Sequence, residues 1–193
     1  MATGTAMPEL RTARLAIRPL EATDAPACRD ALGVSDDAAF ERWLTWAVAA
    51  PAALADLHQP PFGERAVVHS ATGDVVGLVG LVPALGPFAQ LEGAAPGGHS
   101  TPELGLYWAL APEHRGRGYA TEAGAELARY LFASLTPARL VATTEHANAA
   151  SQAVMRRLGM RILENPYPEP AWLQVVGVLE RAAGRQTVVS GAP

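Results

Sequence analysis

The chain has 193 residues, of which 49% are hydrophobic and 18% are charged, and it carries a formal net charge of -4 at pH 7. This composition is typical of one folded domain with its own core and excludes an intrinsically disordered chain. The negative charge argues against nucleic acid as the main ligand, because a phosphate backbone requires a basic surface.

Membrane and metal functions also find no support in the sequence. No apolar run approaches the roughly 20 residues of a membrane span, and the first residues lack the features of a secretory signal. The single cysteine, Cys28, excludes an internal disulfide and a multi-cysteine metal site, and the five histidines show no metal-ligand spacing. We therefore expect no membrane contact, no bound metal and, by default, a cytoplasmic location.

The first third of the chain predicts one strand followed by two helices. Residues 10–20 alternate apolar and polar side chains, which indicates a half-buried strand. Thr23 and Asp24 favour the start of a short helix that ends at Gly33. A second helix begins after Ser35, and Pro51 is expected to interrupt it.

The middle of the chain predicts a hairpin and then a long loop. Residues 65–70 and 74–82 are strand-like and flank a turn that contains Gly73. The second of these strands is apolar on both faces, so we expect it in the centre of a sheet. Residues 83–102 are rich in Gly, Pro and Ala, which predicts a loop, either a lid or a passive insertion.

The last part of the chain alternates strands and helices. The predicted elements are a strand at 103–110, a helix at 121–134, a strand at 139–144, a helix at 148–158 and short strands at 161–163 and 172–179. The domain is expected to span residues 10–180, between a flexible N-terminal tail at 1–9 and a C-terminal tail at 181–193.

A glycine-rich turn separates the strand at 103–110 from the following helix. Residues 115–120 read RGRGYA, and Thr121 follows on the first helical turn. The first amides of a helix lack intrahelical partners and lie at the positive end of its dipole, so they bind phosphate well. Taken alone the pattern is also consistent with a tight connection, and no Gly-Lys-Ser/Thr of a Walker loop follows.

Three motifs in this order resemble the GNAT superfamily of N-acetyltransferases. Arg115-x-x-Gly118-x-Ala120 is similar to its acetyl-CoA motif, and residues 103–123 as a whole resemble its RimJ/RimL branch. Residues 143–160, with an Asn-x-x-Ser helix that ends in Leu-Gly-Met, resemble the same branch, as do residues 12–20. The resemblance covers roughly residues 10 to 180.

The resemblance implies an α/β (α+β) fold with a mixed, mostly antiparallel seven-stranded sheet and about four helices. Its fourth and fifth strands splay apart, and the pantetheine of acetyl-CoA inserts between them. The residues implied to bind acetyl-CoA are Trp108, Ala109, Leu110, Arg115, Gly116, Arg117, Gly118, Tyr119, Ala120, Thr121, Asn148 and Ser151. Asn148 is equally well explained, on local grounds, as a helix N-cap.

Acetyl transfer to an amine needs a neutral nucleophile, so a general base is useful. The resemblance implies Glu103 for this role, because GNAT enzymes often use a glutamate on the strand that leads into this turn. Many relatives place this glutamate two residues later on the strand, where this chain has Gly105. A step of two residues keeps the same sheet face unless a bulge intervenes. The alternative for Glu103 is a surface glutamate at a strand edge.

The resemblance also implies the acid for the leaving thiolate. Many GNAT enzymes use a tyrosine on the helix after the fifth strand, but no tyrosine occurs between Asn148 and Leu158. Ser151 occupies the position that is proposed as the acid in RimL-like enzymes and is therefore the candidate. A bound water, with Ser151 a surface residue, is the alternative. Trp43 and Trp46 fit either core packing or a wall of the acceptor pocket, which this helix borders in GNAT folds.

The function implied is transfer of the acetyl group of acetyl-CoA to a primary amine by direct transfer in a ternary complex. The amine is either a protein N-terminus or a small molecule, and the protein acts as a monomer or homodimer. The alternative is a non-catalytic GNAT-fold module that binds acyl-CoA.

Overall fold

The computed structural model describes residues 6–93 and 102–181, which form one eight-stranded sheet with four α-helices. The strands are β1 Leu10–Arg11, β2 Leu15–Pro19, β3 Gly63–His69, β4 Val75–Leu85, β5 Pro102–Leu110, β6 Arg139–Thr144, β7 Arg161–Glu164 and β8 Val175–Glu180. The helices are α1 Ala25–Leu32, α2 Asp37–Asp56, α3 Tyr119–Ser134 and α4 Ala149–Arg157.

The sheet has the order β1-β2-β3-β4-β5-β6-β8-β7, and every neighbouring pair is antiparallel except β5 and β6. This mixed, mostly antiparallel sheet confirms the predicted fold class, and the two-residue β1 accounts for the eighth strand. The parallel pair β5–β6 is in register only at Gly105 and Val141. These two strands are the fourth and fifth of the prediction, and β5 leaves β6 after Gly105.

Helices α3 and α4 cover one face of the sheet. The main hydrophobic cluster lies there, and its fully buried members include Leu15, Ile17, Leu127, Leu131, Leu140 and Met155. The alternation along β5 sends Leu104, Leu106 and Trp108 to this face.

The opposite face is covered by two separate clusters. Helices α1 and α2 pack Cys28, Phe40 and Leu44 against β3 and β4. Further along the sheet, Phe88 and Leu173 cover β6 and β8.

Helix α2 corrects the prediction that Pro51 interrupts it, because the helix continues through this residue to Asp56. Proline removes one amide donor from the helix. The residues that follow Pro51 are mostly alanine, the best helix former, and they continue the helix for another turn.

The prediction of a loop over residues 83–102 was wrong at both ends. Strand β4 continues to Leu85, and β5 already begins at Pro102. Pro83 is tolerated because β3 stops pairing with β4 at Leu81, so one edge of β4 is free from there on. Phe88 and Leu91 are buried, which ties the next residues to the domain. The rest of the predicted lid, residues 94–101, lies outside the described residues.

Other predicted boundaries hold to within a few residues. Gly73 turns the β3–β4 hairpin with a φ of 79°, and β4 is central between β3 and β5. Met7 is buried in the main cluster, so packed structure begins within the predicted N-terminal tail. The tail predicted at 181–193 lies, beyond Arg181, outside the described residues. No helix in the described part of the chain is long and apolar enough to cross a membrane.

Candidate active site

A cleft of about 450 Å³ opens where β5 leaves β6, between the end of β5, the start of α3 and one side of α4. All predicted donor-site residues line it except Arg117 and Tyr119. The sequence prediction missed five further lining residues, namely Ala31, Ala150, Ala153, Val154 and Arg157. Four of these lie on α4, at positions 150, 153, 154 and 157, which share one helical face. Only Val154 is one turn from Ser151, so helical spacing from Ser151 could have identified this residue alone.

The turn before α3 exposes backbone amides to this cleft. Gly116 and Gly118 have φ values of 74° and 81°, which glycine adopts without the strain that a side chain adds. The first hydrogen bond of α3 runs from the amide of Glu122 to the carbonyl of Gly118, at 3.0 Å. The amides of residues 119–121 therefore have no acceptor within the helix, and they lie at the positive end of its dipole.

Thr121 adds a side-chain group to this turn. Its Oγ1 atom is buried and has no hydrogen-bond partner among the described residues. A buried hydroxyl without a partner is costly, and a ligand that forms a hydrogen bond with it would remove this cost. The free amides and this hydroxyl fit a pyrophosphate, so the residues present suit coenzyme A.

An ion pair from the N-terminal strands holds this turn in place. Glu122 accepts a hydrogen bond from Thr12 Oγ1 at 2.6 Å and from Arg14 Nε at 2.7 Å. Arg14 also donates to the carbonyl of Arg117 at 3.2 Å, within the turn itself. We call Thr12, Arg14 and Glu122 the turn clamp, because they connect the start of β2 to the first turn of α3.

The two predicted donor-site residues that do not line the cleft, Arg117 and Tyr119, both contact Arg14 of the turn clamp. The Tyr119 side chain is buried, and the guanidinium of Arg14 lies 4.7 Å from the centre of its ring. Arg117 contributes its carbonyl to the clamp. Their side chains therefore do not line the cleft, although their backbone belongs to the glycine-rich turn.

Ser151 lies across the cleft from β5 and contacts it directly. The indole Nε1 of Trp108 donates to Ser151 Oγ at 3.3 Å. Asn148 caps α4, since its Oδ1 accepts from the amide of Ser151 at 3.0 Å. The N-cap alternative for Asn148 is thus observed, and Asn148 also lines the cleft.

Glu103 lies at the other end of β5, away from this cleft. The β4–β5 register runs without a shift from Leu110 to Pro102, so Glu103 and Gly105 share one face, as predicted. Both carboxylate oxygens of Glu103 accept hydrogen bonds from Arg139 of β6, in a pair that is largely buried. This hydrogen bond raises the pKa of Arg139. Glu103 therefore ties β5 to β6, and its role as base stays a prediction.

Cys28, Trp43 and Trp46 do not line the cleft. Cys28 is buried, and this burial raises the pKa of its thiol to about 12. Trp43 packs on Phe40 with ring centres 5.5 Å apart, whereas Trp46 is 60% exposed and does not belong to the core. Within residues 6–93 and 102–181, no three His, Cys, Asp or Glu residues are placed to hold a metal ion.

Known proteins share both the sequence pattern and the fold. A family model described as an acetyltransferase (GNAT) domain matches residues 14–161. The uncharacterized N-acetyltransferase YnaD of Bacillus subtilis is 36% identical over 64 residues, which are 33% of this chain and 36% of that protein. The match thus spans about a third of the length of that curated relative.

Solved structures resemble the whole domain. An acetyltransferase from Agrobacterium tumefaciens is 26% identical with a TM-score of 0.66, over 92% of this chain and 96% of that one. Mycobacterium smegmatis RimJ, in complex with CoA-disulfide, is 19% identical with a TM-score of 0.58, over 93% and 90% of the chains. The second likeness is one of fold alone. Because the family model matches residues 14–161, which are most of this chain, the chain belongs to the GNAT acetyltransferase family.

Proposed function

We propose that this protein transfers the acetyl group of acetyl-CoA to a primary amine by direct transfer in a ternary complex. The observation that carries the proposal is the cleft beside β5, where free helix amides and the unpartnered hydroxyl of Thr121 meet. Acetyl-CoA supplies an acetyl group activated as a thioester. The other features of the reaction come from the residues of this chain.

The donor site is assigned by its chemistry. The amides of residues 116–121 and the Thr121 hydroxyl would hold the pyrophosphate. The free edge of β5 at Trp108, Ala109 and Leu110 offers backbone groups to the pantetheine amides, because β5 has no strand partner on that side after Gly105. Asn148, the N-cap of α4, lines the same cleft.

We assign the acid role to Ser151 and a positioning role to Trp108. The indole N–H of Trp108 occupies an acceptor site on Ser151 Oγ, which leaves the serine O–H to point elsewhere. An O–H that points into the cleft is placed to give a proton to the departing thiolate. Ser151 is then reprotonated from solvent through the open cleft.

We further propose that the protein belongs to the RimJ/RimL branch, with a protein N-terminus or a small amine as acceptor. The motifs at residues 12–20, 103–123 and 143–160 support this assignment, and RimJ is among the proteins of similar fold. The rival function is a module that binds acyl-CoA without turnover.

The donor site is tested by Gly116→Asp, which places a carboxylate at the turn that we assign to the pyrophosphate. Acetyl-CoA should raise the melting temperature of the wild type, since a ligand that binds only the folded state stabilises it. The variant should lose this shift, because two anions would be forced together. Thermal melting with and without acetyl-CoA measures the effect.

Gly73→Asp is the matched control for this variant. Gly73 has a similar positive φ of 79° and, like Gly116, open space around its Cβ position, but it lies in the β3–β4 hairpin. It therefore carries the same backbone strain without the charge at the turn. A full acetyl-CoA shift in Gly116→Asp would show that the phosphates bind elsewhere.

A further inference from the structure

Three cross-strand neighbours, Glu64, Gly80 and Tyr107, form a row across the sheet on the face that α1 and α2 cover. We call them the Glu64–Tyr107 row. Glu64 of β3 is opposite Gly80 of β4, and Gly80 is opposite Tyr107 of β5. Tyr107 contacts the cluster under α1 and α2, so the row lies on that face. Glu64 and Tyr107 stand two strand spacings apart, about 10 Å between Cα atoms. Gly80 puts no side chain between them.

The Glu64 carboxylate has no compensating partner in the part of the chain that the structure describes. No described cation or hydrogen-bond donor contacts it, in contrast to Glu103, Glu122 and Glu126. Glu64 is nevertheless half-buried. Removing a carboxylate from water without a partner costs free energy, and a cationic ligand offsets this cost.

Tyr107 places this row next to the reaction centre of the proposed function. It directly precedes Trp108, which lines the donor cleft from the opposite face of the same strand. Both residues come after Gly105, where β5 has already left β6. A group bound at the row therefore reaches the free edge of β5 from the face opposite to α3 and α4.

From this juxtaposition we propose that Glu64 and Tyr107 bind the acceptor as a primary ammonium ion, and that Glu64 takes its proton. The inference rests on the proposed function and names a substrate class and a base for it. The carboxylate pairs with the ammonium, and the Tyr107 hydroxyl accepts a second N–H.

Protons and electrons balance in the transfer of the acetyl group from the thioester to the amine. The ammonium gives one proton to Glu64, and the neutral nitrogen forms a bond to the acetyl carbon while the carbon–sulfur bond breaks. The thiolate takes a proton from Ser151 or water. The second proton lost from nitrogen leaves to solvent. Glu64 also releases its proton to solvent, and a Ser151 that has given its proton is reprotonated from solvent. The products are an amide, a free thiol and one released proton.

The charges around the row define which amines it accepts. The groups that face Glu64 are the Tyr107 hydroxyl and the Cys28 thiol of α1, and the pKa of each is raised to about 12, chiefly by burial. Both stay neutral at physiological pH. The nearby Arg18 is engaged in a bidentate pair with Asp24. Within residues 6–93 and 102–181, an α-carboxylate therefore finds no free cation at the row, and the row disfavours free amino acids.

The experiment compares acceptors and variants in a thiol-release assay with acetyl-CoA. The acceptors are alaninamide, free alanine, an alanine-initiated tripeptide amide and spermidine. For the wild type, alaninamide should far exceed free alanine, which differs from it by the carboxylate. Glu64→Gln should lower kcat/KM for the amines by roughly 100-fold, a typical loss for a general base.

The pH profile separates a base from a structural residue. With the tripeptide amide, the deficit of Glu64→Gln should shrink above about pH 8, because an N-terminal amine deprotonates there unaided. With spermidine the deficit should persist to higher pH. Glu64→Asp should recover part of the rate, and Tyr107→Phe should raise the acceptor KM.

Two further variants serve as controls. Glu164→Gln alters an exposed glutamate on β7 and should change nothing. Glu103→Gln removes the rival base and breaks its pair with Arg139. The acetyl-CoA melting shift is recorded for every variant, and Glu64→Gln should keep it.

Failure of the inference is distinguishable from failure of the proposed function. Wild-type kcat/KM in Glu64→Gln, or a pH-dependent loss confined to Glu103→Gln, would overturn the role of Glu64. If the wild type acetylates no amine, the proposed function fails instead. Calorimetric binding of alaninamide to the CoA-loaded protein then still decides on Glu64, since the wild type should bind it and Glu64→Gln should not.

Discussion

The hydroxyl of Thr121 is buried and has no hydrogen-bond partner among the described residues, whereas buried polar groups are usually hydrogen-bonded. An unmet buried hydroxyl costs about 1–3 kcal/mol of folding free energy. In the proposed donor site, the pyrophosphate of CoA would satisfy this hydroxyl. Stability and ligand affinity should therefore respond to its removal with opposite signs.

The variant Thr121→Val tests this relation, because valine keeps the shape of threonine and removes the hydroxyl. The free energy of unfolding without ligand should stay unchanged or rise by up to about 1 kcal/mol. The Kd for CoA should rise about tenfold, the loss of one hydrogen bond to a charged group. Urea denaturation and calorimetry measure the two quantities.

Thr45→Val provides the matched control on α2, where the threonine hydroxyl donates to the carbonyl of Glu41. It should leave CoA affinity unchanged. Equal CoA affinities in Thr121→Val and the wild type would remove this hydroxyl from the donor site.

At the scale of residues, the sequence identifies the residues that line the cleft more readily than those of the Glu64–Tyr107 row. Arg115, Gly118 and Ala120 belong to a contiguous motif, so their proximity needs no knowledge of the fold. Glu64 and Tyr107 belong to separate strands, and only the β3–β4–β5 register brings them into one row. No local pattern distinguishes Glu64 from any other strand glutamate.

The turn clamp connects two elements that are far apart in sequence, the start of β2 and the first turn of α3. Partial burial opposes ionisation of Glu122, but hydrogen bonds from Thr12 and Arg14 outweigh it and lower the pKa of this carboxyl. A carboxyl with a lowered pKa in the folded state stabilises the fold above its unfolded pKa. That contribution is lost as the pH falls through the folded pKa.

Glu122→Gln should accordingly destabilise the protein at neutral pH by about 1 kcal/mol, a value reduced by solvent at the half-exposed Arg14. The difference from the wild type should shrink below about pH 4, where the wild-type carboxyl also becomes protonated. CoA affinity should fall as well, since the clamp holds the carbonyl of Arg117 within the glycine-rich turn that we assign to the pyrophosphate. Urea denaturation at several pH values, with calorimetry, checks both effects.

Glu126→Gln is the control on the same helix, because Glu126 pairs only with the exposed Arg129 one turn away. Such surface pairs contribute little. If Glu126→Gln and Glu122→Gln behaved alike in stability and in CoA affinity, the clamp would be an ordinary surface pair.

At the scale of elements, the prediction failed where proline was given too much weight. Pro51 does not interrupt α2, because the helix has a run of alanines to continue it. Pro83 does not end β4, because one edge of this strand is already free. Both outcomes depend on tertiary context, whereas the strands at 103–110 and 139–144 follow from local pattern and were found nearly to the residue.

In the whole molecule, β5 separates the two halves of the proposed reaction. Helices α3 and α4 build the donor cleft on one face, and the Glu64–Tyr107 row lies on the other. The chain contains no lysine, so the protein offers no side-chain amine that would compete with an added acceptor. The background of an acetylation assay is therefore set by hydrolysis of acetyl-CoA and by the terminal amine.

The most direct test of transfer across β5 is the rate of thiol release from acetyl-CoA, measured with and without alaninamide or an alanine-initiated tripeptide amide. We predict a rate that rises with acceptor concentration to saturation, accompanied by formation of the N-acetylated product. Ser151→Ala should lower this rate by roughly 100-fold, in keeping with a lost general acid, while CoA still binds. A melting shift with acetyl-CoA combined with thiol release that no amine accelerates would contradict the account and identify a CoA-binding module without turnover.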